Sequence, residues 1–219
     1  MEASRFGRGQ FWLMGASPWI ILGGILIYGV IHSFLASLWT KARLKNGLGP
    51  LAQRGYRLAY NLFAGVTLLP LLALPGLLPD RGLYRIPFPW LLLSIFFQVV
   101  AAAALGVGLL QTGLWSFLGI RQLLGSIENE PPVLVVHGLY RWVRHPLYTA
   151  GLVFIWLIPV MTVNLLAFNI GLSGYILVGA IFEERKLLKE YGTAYAEYRA
   201  RTPMLVPGLR WGIGRGAPG

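Results

Sequence analysis

The sequence predicts an all-α integral membrane protein with five transmembrane helices. Three observations carry that expectation. Apolar residues make up 56% of the 219 positions, while Asp, Glu, Lys and Arg together make up 12%. Water-soluble domains carry roughly 25% charged residues, so about half of the usual solvating charge is missing. The mean hydropathy is +0.61. Finally, four long runs, 9–40, 58–79, 86–120 and 145–182, contain no charged residue at all.

A helix needs about 20 apolar residues to cross the hydrocarbon core, and irregular backbone cannot face lipid. The first run therefore predicts a span over 17–39, near Ser17–Trp39. The second predicts one over 58–78, interrupted by Pro70 and Pro75, and the third one over 88–111. The fourth run is too long for one span and suits two short ones, 147–163 and 165–182, with Asn164 at the tip of a helical hairpin. Beyond it, Leu187, Tyr191, Ala194, Tyr195 and Tyr198 recur at helical spacing. They predict a C-terminal amphipathic cytoplasmic helix within the tail 183–219. The whole chain, 1–219, reads as a single domain, and its N-terminal apolar run is too long for a cleavable signal.

Orientation follows from the basic residues. With five spans, 15 of the 19 Lys and Arg fall on the side that holds 40–57, 112–146 and the tail, and four fall on the other. The positive-inside rule then places the C-terminus in the cytoplasm and the N-terminus outside. The net charge of +11 reads as topology signals and contacts with anionic lipid rather than as a nucleic-acid surface. The absence of cysteine excludes disulfides, cysteine metal sites and a thiol nucleophile. No run matches the dinucleotide fingerprint or the phosphate loop.

Polar residues gather in two segments on the expected cytoplasmic face, His137–Tyr148 before the fourth span and Glu183–Tyr198 after the fifth. A helical hairpin brings them together. Pro146 suits the first turn of a helix, which sets His145 at the positive helix end, where anions bind. Glu183 and Glu184 oppose the dipole at the other helix's C-terminus and so need a cationic partner or a functional contact. His32 lies inside the first span, where an ionisable side chain is a functional candidate.

These residues resemble a known family. Arg144-His145-Pro146-x-Tyr148, then Glu183-Glu184-x-x-Leu187-x-x-x-Tyr191-Gly192-x-x-Tyr195-x-x-Tyr198 and Pro203, are similar to the isoprenylcysteine carboxyl methyltransferase and phospholipid methyltransferase superfamily. His32-Ser33, the basic loop 41–57 and Phe117–Gln122 resemble its methanethiol S-methyltransferase branch. The resemblance implies an integral-membrane enzyme that uses S-adenosyl-L-methionine without a Rossmann domain. It implies that Tyr140, His145, Pro146, Leu147, Tyr148 and Glu183 hold that cofactor, with Val135 at the adenine and Gln122 as a further contact. Prenylcysteine-specific members carry a substrate-contacting arginine one helical turn before the glutamate pair. Gly179 stands there in this chain, so a small thiol or sulfide acceptor is favoured.

Methyl transfer from a sulfonium gains most from alignment in a dry pocket. Tyr140, Tyr148 or Trp142 would supply cation–π attraction of roughly 0.5–2 kcal/mol. A thiol acceptor needs a base or a positive field, which Arg144 or His32 would supply as the catalytic residues. The alternatives are a prenylcysteine or phospholipid substrate, and a non-catalytic scaffold binding haem through His32 and His137. The topology is directly testable. A reporter that works only in the cytoplasm should be active when fused after Gly219, and activity from an external reporter alone would overturn the assignment.

Overall fold

The computed structural model describes residues 8–47, 49–124 and 133–209. Its order is α1 (Arg8–Ala36), α2 (Leu38–Gly47), α3 (Gly49–Leu77), β1 (Gly82–Arg85), α4 (Trp90–Gln111), α5 (Leu114–Leu118) and α6 (Ile120–Leu123). A 3₁₀ turn (Gly138–Arg141), α7 (Pro146–Trp156), β2 (Val160–Thr162) and α8 (Val163–Arg201) follow.

Among the described residues, four helices are long and apolar enough to cross a membrane: Gly15–Ala36, Arg54–Leu77, Trp90–Gln111 and Val163–Arg201. The expected fourth span is cut short. The 11-residue α7 rises about 16 Å, half of a hydrocarbon core of about 30 Å. It can stop there because side chains take over its free carbonyls, the groups that a helix end leaves unsatisfied. Gln98 Nε2 donates to Phe154 O (3.0 Å), Asn169 Nδ2 to Ile155 O (2.9 Å), and Ser94 Oγ to Leu157 O.

The turn between α7 and α8 also differs from the expected hairpin. It occupies 157–162, and Asn164 sits in the first turn of α8, only 1% exposed. Nothing in the apolar run marked β2, which pairs antiparallel with β1. Gly82 faces Thr162, and Arg85 faces Val160. Val163 N donates to Arg81 O (3.0 Å) and Ile86 N to Pro159 O (2.9 Å). Asp80 Oδ1 accepts from Asn164 N at 3.0 Å. Asn164 Nδ2 lies 3.2–3.5 Å from the carbonyls of Pro75, Leu78 and Pro79, where α3 ends. The two connections are thus laced together at the end of the bundle away from the two polar segments.

The core lies where α1, α3 and α8 meet, around Ile21, Ile25, Leu71 and Phe168. Small residues let the backbones approach. A Cβ on Gly171 would lie 2.7 Å from Ile25 Cδ1, and one on Gly29 would lie 2.9 Å from Tyr175. The opposite faces carry Leu26, Leu62, Val66, Phe96 and Leu110, all well exposed. In water this surface would be an aggregation liability; in a bilayer it is the lipid contact.

Two further departures shape the end of the bundle that carries the polar segments. The first span stops at Ala36 rather than 39, because Thr40 Oγ1 donates to Phe34 O and Thr40 N to Ser37 Oγ, which restarts the chain as α2. The expected amphipathic helix is broken at Gly192, whose φ of +55° is favourable only without a Cβ. Beyond the break Tyr195 and Tyr198 are buried, but Ala194 is exposed.

Asn164→Ala should leave the carbonyls of Pro75, Leu78 and Pro79, at and just beyond the end of α3, without that donor. A loss of about 2 kcal/mol should appear as a lower melting temperature of the detergent-solubilised protein, and an unchanged melt would refute the anchoring role.

Candidate active site

His145 stands at the N-cap of α7 with a non-helical backbone (φ −124°, ψ +67°), and buried Pro146 occupies the first helical turn. The chain after Gly192 folds back against this start. Arg144 N donates to Pro203 O (2.9 Å), His145 N to Met204 O (3.1 Å), and Thr149 Oγ1 to Leu205 O (2.7 Å). Tyr198 Oη donates to Tyr140 O at 2.5 Å. The two polar segments, some 40 residues apart in sequence, therefore form one unit.

At its centre stands Glu184, one of the two carboxylates whose place at the helix end called for a cationic partner or a functional contact. Its side chain is 7% exposed. Arg144 Nε donates to its Oε1 at 2.5 Å, and Arg199 Nε lies 3.3 Å from Oε2. Arg144 also donates from its terminal nitrogen to the carbonyls of Arg199 (3.1 Å) and Thr202 (2.5 Å), which end α8. Burial pushes the Glu184 carboxyl up, but the His145 and Arg144 groups outweigh it and hold the pKa below the usual value.

Glu183, one position earlier, points elsewhere and is 44% exposed. Tyr148 Oη donates to its Oε2 at 2.8 Å, and His145 Nδ1 lies 3.7 Å from the same oxygen. The His145 and Tyr148 rings stack at 5.3 Å. Tyr140 stands close enough for Glu183 to act on it. Burial first, and then that carboxylate, push its phenol up to about 12. His145 Nε2, 3.4 Å from Glu184 Oε1, is buried without a hydrogen-bond partner, as is Tyr195 Oη.

The other expected site residues are spread more widely. Leu147 packs toward α4, where a Cβ on Gly108 would lie 2.8 Å from it. Val135 lies half-buried in the extended segment before the 3₁₀ turn. Gln122 Nε2 donates to Ser116 O (3.1 Å), within the α5–α6 turns. That turn rests on α3, with Asn61 Nδ2 donating to Phe117 O and Leu118 O. The glutamine that meets the 3₁₀ turn is instead Gln111, whose Oε1 accepts from Leu139 N (3.2 Å).

His32 lies in α1 beside Tyr60 of α3, with Nε2 2.5 Å from the Tyr60 hydroxyl. It stacks on Tyr28 and meets Tyr175 of α8 edge-on. His137 is exposed before the 3₁₀ turn. Trp142 is 67% exposed.

The two glutamates should separate cleanly. Glu184→Gln leaves Arg144 and Arg199 without a buried counter-charge and should cost about 3 kcal/mol of stability. The depressed pKa of Glu184 contributes stability that is complete above the ordinary carboxylate pKa and is lost as pH falls through the lower, folded value. Acid melts of wild type should show this loss, and those of Glu184→Gln should not. Glu183→Gln should shift the melt by less than about 1 kcal/mol.

Comparison with known proteins places these residues in context. The chain is 33% identical over 195 residues to the methanethiol S-methyltransferase of Mycobacterium tuberculosis, covering 86% of this chain and 76% of that protein. It is 35% identical over 133 residues to the methanethiol S-methyltransferase of a Pseudomonas species, covering 57% of this chain and 49% of that protein. It is also 29% identical over 160 residues to the protein-S-isoprenylcysteine O-methyltransferase of Schizosaccharomyces pombe, covering 68% and 67%. No protein-family model matches the chain. No solved structure matches it. The expected superfamily and branch are thus both represented among its relatives. Four apolar helices and relatives of this kind make it an integral membrane protein, and the chain belongs to the methanethiol S-methyltransferase family of methyltransferase enzymes.

Proposed function

We propose that this single-domain enzyme transfers a methyl group from S-adenosyl-L-methionine to a small thiol or sulfide, at a site on the cytoplasmic face of the membrane. The observation that carries the reading is the accessible Glu183 carboxylate, set by Tyr148 and flanked by His145 and Tyr140. The residues present fit such a donor. Glu183 accepts hydrogen bonds from ribose hydroxyls or an ammonium. His145 Nδ1, 3.7 Å from the same carboxylate, offers a further polar contact. Tyr140 and Tyr148 offer aromatic faces to a sulfonium. When bound, the donor supplies an electrophilic methyl group. The chain's own residues would bind it, orient it and exclude water. Val135, Pro146, Leu147 and Gln122 belong to the same proposed binding set, with Leu147 and Gln122 acting through their packing on α4 and within α5–α6.

Arg144 fits the role of a strut. Its donors are engaged by Glu184 and by two carbonyls, and its field reaches the site through the segment it fixes. The acceptor follows the names of the bacterial relatives and the uncharged Gly179 position. Gly179 is surrounded by open space.

Five membrane crossings also belong to this reading. The Tyr148–Glu183 bond joins the start of α7 to the twenty-first residue of α8, while the lacing at Val163 holds the far ends. The chain from 146 to 163 therefore covers the same depth as 163–183, about 30 Å of helix. The 15-to-4 division of basic residues supports a cytoplasmic site.

Labelled S-adenosyl-L-methionine offered with methanethiol, a prenylcysteine analogue and phospholipid tests the acceptor. The thiol should be methylated fastest, and a faster prenylcysteine would overturn the thiol reading. By calorimetry, Glu183→Gln should weaken the donor's affinity by about 10- to 150-fold, the scale of a lost charge-assisted bond. Unchanged affinity would remove Glu183 from the site.

A further inference from the structure

We propose that the crevice between α1 and α3 is the acceptor site. It takes a small, neutral alkyl thiol from the bilayer, and His32 Nδ1 receives the thiol proton. This rests on the methyltransferase reading above.

The crevice has a volume of about 280 Å³. That is at the lower edge of the roughly 300–1,000 Å³ of small-molecule sites, and well above a cavity of about 150 Å³ that holds benzene. Tyr28, in its wall, and Tyr56, beyond its His32 end, tie the two helices together, donating to Ala64 O (3.3 Å) and Leu35 O (2.5 Å). Its mouth is formed by Ile27, Ile31 and Phe63, which are 62%, 44% and 46% exposed on the lipid-facing surface. No charged residue lines it. A neutral thiol can enter by this route, whereas a thiolate or a carboxylated acceptor would bring an uncompensated charge into an apolar site. The base must then be inside.

His32 lines the crevice, and its Nδ1 is buried with no hydrogen-bond partner. The other polar groups are engaged: Thr67 Oγ1 donates to Phe63 O (2.7 Å), and Tyr28 Oη donates to Ala64 O. The tautomer with hydrogen on Nε2 places it toward Tyr60 and leaves Nδ1 a lone pair. The same cluster adjoins the donor side. His32 contacts Tyr60 and Tyr175, and Tyr175 lies on α8 eight residues, about 12 Å of helix, before Glu183.

The balance of the step is simple. The thiol S–H bond breaks and its proton passes to Nδ1. The sulfur pair forms the new bond to the methyl carbon, and the old bond's electrons stay with the donor's sulfur. The imidazolium then returns its proton to water.

The test uses the full chain in detergent with ethanethiol and the more acidic trifluoroethanethiol. His32→Gln should lower kcat/KM for ethanethiol by about 100-fold, in the range for a lost general base, and for trifluoroethanethiol by less than about 10-fold, because an acidic thiol needs the base less. Donor affinity should change less than about two-fold, since His32 is not among the groups at Glu183. Thr67→Leu, which fills the crevice, should raise KM for ethanethiol and abolish the thermal protection that ethanethiol gives the wild type. Equal losses for both thiols would overturn the base, and protection persisting in Thr67→Leu would overturn the site. If the wild type is protected by ethanethiol but methylates neither thiol, the reaction reading falls while the crevice stands as a thiol site. No protection of the wild type overturns the crevice itself.

Discussion

A carboxylate that is 7% exposed loses most of its hydration, and Glu184 recovers it from Arg144 and Arg199. Burying such a cluster is no bargain in itself, since well-packed apolar residues often serve stability as well. What it gives here is position. Arg144 lies immediately before the α7 cap, Arg199 lies beyond the break at Gly192, and Glu184 lies where α8 leaves the apolar run. Three segments distant in sequence are held by a single charge, and the carbonyls that end α8 are satisfied by the same guanidinium. Remove that charge and the return of Pro203 and Met204 keeps its backbone bonds to Arg144 and His145 but loses its ionic anchor.

The adjacent glutamate gains from this arrangement. Successive helical residues point about 100° apart, so one Glu of the pair can face inward while the other stays at the surface of the site. Glu184 carries the buried charge, while Glu183 stays 44% exposed, bonded by Tyr148 and facing the His145 ring. The pair thus divides what a single carboxylate could not do: one is buried for fixation and the other stays accessible. Tyr140 completes the rim because its backbone carbonyl is tied by Tyr198 while its phenol stays near Glu183.

On the bilayer side the constraint is different. Every backbone polar group at membrane depth needs a partner within the protein. Ser94, Gln98 and Asn169 meet that need for the short α7, and Asn164 meets it for the end of α3. These few polar side chains inside otherwise apolar runs are what allow a helix to stop halfway and a strand to follow it.

Much was legible in the chain alone. Apolar runs and missing charge specified a helical membrane protein, because the cost of unpaired backbone in lipid leaves few choices. The order and spacing of Arg144-His145-Pro146-x-Tyr148 and Glu183-Glu184 marked two polar segments that the structure brings together, since residue types at fixed helical intervals are local information. The stopping point of α7 was not legible, because it depends on Gln98 and Asn169 arriving from other helices. Nor was the break at Gly192, since one glycine in a helical pattern is usually tolerated. The separate fates of Glu183 and Glu184 were settled by Arg199, and the company of His32 by Tyr60 and Tyr175. Sequence periodicity reports which face of a helix is apolar; which partner that face meets is a property of three-dimensional packing.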